Sequence, residues 1–420
     1  MSSSPGFARA QAGSAGSEAL ALVEAEILLA IEQRGLARAA PRLLEAVVDE
    51  AVAGYRSRSA VQSLPVLSDG EVSKLRDRLA RFGALSPLLD DPAVEEIWVN
   101  GPGKVFVSRY GCHEPAGVSL APSEVEEIVE RGLALAGRRL DRSLPFVDAC
   151  LPDGSRLHVV IPPITDHWTL NIRRFVGLRA RRLDELVTLG SLSPGAARFL
   201  GASVAHGLNI VVAGSVGAGK TTALACLAAA IPPTERLVVC EEVTELRLEA
   251  PDVVAMQCRQ PNLEGQGAVT LRDLVRESVR MRADRIIVGE VRGAECLDML
   301  VAMNCGAGGL TSVHANSALE ALRKLTTLTL LAGGNVDRRF VARSVASCVD
   351  LVVFCSRRPG GRLVSEILSV DPDAGDGEEP TGALLFRRPA AGGELSWSGH
   401  LPGRLERFER VGMDLLEVLG

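Results

Sequence analysis

The segment Gly214-Ser215-Val216-Gly217-Ala218-Gly219-Lys220-Thr221 constrains this chain more than any other. It fits G-x-x-x-x-G-K-[ST], and its flanks agree: the apolar run 208–213 predicts a strand before it, and 220–230 a helix after it. The glycines let backbone N–H groups wrap a phosphate without side-chain interference, and the helix N-terminus adds the positive end of its dipole. Lys220 is expected to reach the β- and γ-phosphates of a nucleotide and Thr221 to ligate Mg²⁺. Gly214, Ser215, Val216, Gly217, Ala218, Gly219, Lys220, Thr221 and Thr222 are therefore the expected ATP-binding set.

The surroundings of this loop predict an α/β fold. Strands are expected at 208–213, 236–240, 285–288, 310–313 and 351–354, and helices at 220–230, 271–281, 294–303 and 319–331. Such alternation implies a mostly parallel sheet covered by helices. Residues 371–382 read as an acidic loop, followed by a strand at 383–387 and a helix at 405–419. On the N-terminal side, 71–175 reads as a small α/β domain. It has a helix at 71–82, a hairpin of Ile97-Trp98-Val99 and 104–109 about Asn100-Gly101, and a helix at 123–136. Strands at 157–161 and 170–175 follow the turn Pro152-Asp153-Gly154. Residues 1–18 are rich in Ser, Gly and Ala and are expected to lack structure. Residues 19–60 carry helical periodicity in Leu22, Val23, Ile27 and Leu28, then in Leu43, Leu44, Val47, Val48 and Val52, with Pro41 opening the second helix. Residues 61–70 read as a linker. The expected organisation is a tail (1–18), a helical arm with linker (19–70), the small domain (71–178), the phosphate-loop domain (179–370) and a C-terminal extension (371–420).

Composition narrows the classes. Asp and Glu number 52 against 46 Lys and Arg, for a net charge of −6. A surface for nucleic acid would usually be basic, so no nucleic-acid partner is expected. The nine cysteines form an odd set with no CxxC pair, and read as small buried hydrophobes of a reducing compartment. The apolar stretch 19–30 is broken by Glu24 and Glu26, and no run of 18 apolar residues occurs. A cytoplasmic protein, joined to a membrane only through partners, is the expectation.

A phosphate loop needs carboxylates to order Mg²⁺ and activate water. Arg285-Ile286-Ile287-Val288-Gly289-Glu290 sets an acid at the C-terminal end of an apolar strand, where open parallel sheets bind ligands. Glu290 is the expected general base or water-orienting group. Gly289 stands where an Asp usually precedes the catalytic acid. Glu241 and Glu242 end another strand; either could order the metal through water, Glu242 first, or orient the attacking water. Glu245 reads as a solvated residue of a first helical turn.

These blocks together resemble the type II/IV secretion ATPase family, most closely its tight-adherence (Flp) pilus branch, the CpaF/TadA-like ATPases. Asp91-Pro92 with 94–101 resembles the family's N-terminal signature. Asp153-Gly154-Ser155-Arg156 and Ile172-Arg173-Arg174-Phe175 resemble its arginine segments. Residues 235–242 resemble its Asp box, 280–293 its Walker B region, and Thr311-Ser312-Val313-His314-Ala315-Asn316 its His box, in the family's order. The resemblance implies a RecA-like ATPase domain after a PAS-like domain, a homohexamer, and nucleotide lying between the two domains. It implies Arg156 and Arg173 as groups that touch phosphates or stabilise transition-state charge, with Arg174 either doing the same or holding an interdomain salt bridge. His314 would sense the γ-phosphate. His158 and His206 read as structural. The implied work is assembly, or retraction, of a pilus through inner-membrane platform proteins, and through them the pilin. The sequence departs from the pattern at Glu242 (usually Asp), at Ala283 (usually Pro) and in a shorter loop before His314. Three other readings stay open: a type IV secretion or DNA-transfer ATPase, a non-hydrolysing ATP-binding subunit, and a nucleic-acid motor.

Overall fold

The structure is a computed structural model. It describes residues 6–36, 41–62, 64–140, 145–174, 180–261, 266–358, 361–372, 379–389, 392–405, 408 and 415–419. The chain divides into two compact units, Met1–Val176 and Gly177–Gly420.

The first unit opens with three helices, α1 (Gly6–Gln33), α2 (Pro41–Gln62) and α3 (Asp69–Ala80). Residues 6–18, expected to lack structure, are helical. Ala8, Ala10, Ala12 and Ala15 are strong helix formers, and they outweigh the glycines among them. The core of this bundle is Ala19, Val23 and Ile27 from α1, Val47, Val48, Val52 and Tyr55 from α2, and Leu75 and Leu79 from α3. Leu22, Leu28 and Leu43 were expected in that stripe but are 50–57% exposed, because only one face of each helix meets the others. The linker expected at 61–70 is shorter than that: α2 runs to Gln62, and Ser68 caps α3 in a capping box with Glu71.

After the short helix α4 (Ser86–Asp90) come β1 (Val94–Val99), β2 (Val105–Arg109), β3 (Cys112–Pro115), helix α5 (Pro122–Leu135), β4 (Phe146–Cys150), β5 (Arg156–Val160) and β6 (Thr169–Arg173). They form an antiparallel sheet in the order β3-β2-β1-β6-β5-β4. The expected hairpin is present, with Trp98 opposite Phe106. Strands β3 and β4 were not expected: β3 is exposed along its length, and β4 buries only Ala149. Alternate residues of the central strands, such as Ile97, Val99, Leu157, Val159, Leu170 and Ile172, pack under Val125, Ile128, Val129 and Leu133 of α5.

The second unit carries α6 (Leu183–Thr188), α7 (Pro194–Ala205), β7 (Ile210–Gly214), α8 (Lys220–Ala228), β8 (Leu237–Glu241), β9 (Val253–Gln257), α9 (Leu271–Ser278), β10 (Arg285–Val291), α10 (Glu295–Asn304), β11 (Gly308–Val313), α11 (Ala318–Leu330), α12 (Arg338–Cys348), β12 (Leu351–Arg358), β13 (Gly361–Val370), β14 (Gly382–Arg387), β15 (Ser396–Trp397) and a last helix, Leu415–Leu419. The sheet order is β15-β14-β13-β12-β7-β11-β10-β8-β9. From β12 to β9 the strands are parallel; β13, β14 and β15 extend one edge antiparallel. Both faces are covered. Ile210 and Val212 join Phe199, Leu224 and Phe386 on one side, while Val211 and Ala213 join Met299, Leu322 and Val345 on the other. A strand buried on both faces must be a continuous apolar run, which is what β7 is. This is the α/β, RecA-like phosphate-loop fold, with a small α/β domain before it. Much of the acidic loop (373–378) and of the expected C-terminal helix lies outside the described residues.

Candidate functional site: a phosphate loop with acids from adjacent strands

Four neighbouring parallel strands end on the same side. β7 delivers the phosphate loop, β11 delivers His314, β10 carries Glu290 and β8 ends in Glu241. Their chain order is scrambled across the sheet, so a parallel α/β topology was needed to assemble them.

Gly219 takes φ +94° as the loop enters α8, a conformation glycine adopts without strain. At the loop's start a Cβ on Gly214 would lie 2.5 Å from the Cys355 carbonyl oxygen of neighbouring β12. Lys220 is only 8% exposed. Its ammonium donates to the carbonyls of Gly214 (3.1 Å) and Ser215 (3.2 Å), lies 3.0 Å from His314 Nδ1, and sits 3.5 Å from Glu290 Oε1. Lysine has donors only, so Nδ1 accepts and Nε2 faces Glu290 Oε1 at 3.1 Å.

Glu290 sits where β10 departs from regular pairing with β11, between Val288 and Val291. Such an irregularity re-aims a side chain, here toward the phosphate loop. Arg292 grips Glu290 Oε2 through Nη2 (2.6 Å) and Nε (2.8 Å). Oε1 is buried and makes no hydrogen bond of normal geometry, although cationic and imidazole nitrogens lie close to it. Burial alone would raise the Glu290 pKa. The charges of Lys220 and Arg292, with the Arg292 hydrogen bonds and His314, outweigh it and hold the carboxyl below its usual value. His314 moves down, chiefly because burial disfavours its charged form and Lys220 repels a second positive charge, against the pull of Glu290.

The second acidic cluster divides its work differently from what the sequence suggested. Glu241 is 4% exposed, and its carboxylate accepts the backbone N–H groups of Glu245 (3.0 Å) and Leu246 (3.1 Å). Its side chain also fills the space beside Gly289, where a Cβ would come within 3.0 Å of Glu241 Cγ. Glu241 thus shapes the 242–246 loop and occupies the room a side chain at 289 would need. Glu242, expected at the metal, is exposed and pairs with Arg292. Glu245 is the acid at Thr221: the Thr221 hydroxyl donates to Glu245 Oε2 at 3.2 Å. The expectation of a solvated helical residue fails because no helix forms there; the Glu241 carboxylate takes up the local N–H groups and holds an irregular loop.

Thr221 and Glu245 are oxygen donors suited to a hard cation such as Mg²⁺, which elsewhere takes phosphate oxygens and water. Among the described residues, no group of three His, Cys, Asp or Glu side chains is arranged to hold a metal by itself. The arginines lie in the first unit. Arg156 and Arg173 are directly opposite on β5 and β6. Arg174 donates to the backbone carbonyls of Asp91 and Val94, both in its own unit. Arg292 and Glu245 were missed as site residues: Arg292 lies just past the end of β10 and Glu245 in an irregular loop, and no periodicity or spacing marks either one. No described helix is long and apolar enough to cross a membrane.

An apolar strand running into a glycine loop, a buried lysine and an acid from a nearby strand end define the phosphate-loop class of nucleotide-binding proteins. The Type II/IV secretion system protein family matches residues 79–358, and the chain belongs to that family. The conjugal transfer protein TrbB of Rhizobium radiobacter is 33% identical over 308 residues, covering 71% of this chain and 90% of that protein. The type IV secretion system protein PtlH of Bordetella pertussis is 32% identical, covering 66% of this chain and 89% of its own. The crystal structure of the VirB11 ATPase from the Brucella suis type IV secretion system, in complex with sulphate, is 30% identical and covers 68% of this chain and 92% of that one, with a TM-score of 0.37.

Proposed function

We propose that this chain is an ATP-hydrolysing motor of a secretion or pilus machine, working as a homohexamer on the cytoplasmic side of a membrane through platform proteins. The observation that carries the reading is the convergence of Lys220, Glu290 and His314 beside the phosphate loop. Lys220 would bind the β- and γ-phosphates. Glu290, with Oε1 buried and ionised and not spent on a hydrogen bond, would accept a proton from, or orient, the attacking water. His314, neutral and touching both Lys220 and Glu290, would register loss of the γ-phosphate. Bound Mg²⁺ would supply charge neutralisation at the phosphates, held by Thr221 with Glu245 on its hydroxyl. Arg156 and Arg173 are kept as charge-stabilising groups.

Within this reading the tight-adherence pilus motor is the first choice, on the resemblance of the N-terminal signature and the Asp, Walker B and His boxes. A type IV secretion or DNA-transfer ATPase is the second, favoured by the conjugal-transfer and type IV secretion relatives.

The deciding experiment is Mg²⁺-dependent phosphate release by wild type beside Glu290→Gln, with particle mass measured on the same samples. Turnover in hexamer-sized particles, reduced at least about a hundredfold in the variant, is the expected result. Tight ATP binding with no turnover in either protein would replace the motor by a non-hydrolysing subunit.

A further inference from the structure

Strand β12 runs beside β7 and carries on past the phosphate loop, pairing Cys355 with Gly214. Beyond that point β12 and β13 form a hairpin in which Arg357 and Arg362 are directly opposite each other. Arg362, half-buried, donates from Nε to the carbonyl oxygen of Gly217 at 2.9 Å. Its Cδ and Cβ lie 3.4 and 3.5 Å from where a Cβ on Gly219 would be, and Arg357 Nη1 lies 3.6 Å from the corresponding point on Gly217. The hairpin therefore meets the phosphate loop at Gly214, Gly217 and Gly219.

We propose that Arg362 is a positioning residue for nucleotide binding, and that Arg362 and Arg357 together make this hairpin a basic strap that holds the phosphate loop ready for a polyphosphate. The proposal rests on the reading that the loop binds ATP. Three physical points support it. A loop that turns its N–H groups toward phosphates leaves carbonyls pointing outward, and an outward carbonyl needs a donor. A guanidinium on the Gly217 carbonyl fixes the plane of the Gly217–Ala218 peptide and polarises it. Arg357 and Arg362 set two positive charges beside the loop, where a bound polyanion would be attracted to both. The ligand thus favours the strapped arrangement by a differential interaction, the condition any ligand-linked arrangement must meet.

The test uses the full chain and titrates Mg-ATP by calorimetry against wild type, Arg362→Ala, Arg362→Lys and Arg357→Ala, with melting of each ligand-free protein alongside. Arg362→Ala is expected to raise the Kd for ATP about tenfold, the scale of one lost charge-assisted hydrogen bond. Arg362→Lys keeps a charged donor and should return to within about threefold of wild type. Arg357→Ala should weaken binding about threefold and flatten its dependence on salt, since it acts by charge alone. Ligand-free melting points should stay within about 2 °C of wild type, as for substitutions outside the core. If wild type binds ATP and Arg362→Ala binds it within about twofold, the strap is wrong while the nucleotide reading stands. If Arg362→Ala lowers the ligand-free melting point together with affinity and lysine rescues neither, Arg362 is merely structural and the proposal falls. If wild type binds no ATP, both fall.

Discussion

Glu245 and Gly289 show how single residues divide the work of this site. In Gly289 the usual acid is missing, and the room beside it is filled by Glu241. Gly289→Ala should therefore cost about 1–3 kcal/mol through crowding against Glu241, read as a lower urea midpoint at unchanged slope. Glu245→Gln should leave ATP affinity near wild type at saturating Mg²⁺ but raise the Mg²⁺ needed for half-maximal turnover about tenfold, since Thr221 loses its charged partner. An unchanged Mg²⁺ requirement would sink that role. His314 makes a prediction about pH. Its pKa is lowered from 6.5, so between the folded and unfolded values the native protein binds fewer protons than the unfolded chain. The stability linked to neutral His314 is present above 6.5 and is lost as pH falls through the lower native value. Chemical denaturation at pH 8 and pH 5 should show a smaller acid-side loss for His314→Gln than for wild type.

At the scale of elements, the site depends on strands that are buried on both sides. Phe199 of α7 is fully buried, stacks on Phe408 and packs at a tilt against Phe386, with ring centroids 5.8 Å apart in each pair. Phe199→Ala should cost about 3–5 kcal/mol, measured by denaturant unfolding, because it opens a cavity where α7 meets β14 and the C-terminal segment. The order of the strands, and not the length of any one, brings Glu290 and His314 to Lys220. The irregularity in β10 then turns Glu290 toward the loop. Neither the irregularity nor the place of β12 beside β7 leaves a periodic trace in the chain. Both arise from hydrogen-bond registers between segments far apart in sequence.

At the scale of the whole molecule, each unit has its own core: two clusters astride the large sheet in Gly177–Gly420, and separate clusters in the helical bundle and small sheet of Met1–Val176. A chain of residues 177–420 should fold and melt cooperatively by circular dichroism. It should bind Mg-ATP yet turn over at least about tenfold more slowly, because the proposed Arg156 and Arg173 are removed. Unchanged turnover would strip those arginines of their part. The sequence by itself determined the phosphate loop, the alternation that forces a parallel sheet, and the acid at the end of β10, since these are local: a spacing, a periodicity, a strand end. The tertiary structure alone decided which acid reaches Thr221, which cation holds Glu290, and which hairpin covers the loop. Those pairings join residues 24, 2 and 145 positions apart through side-chain direction and strand order, and spacing along the chain fixes none of the three.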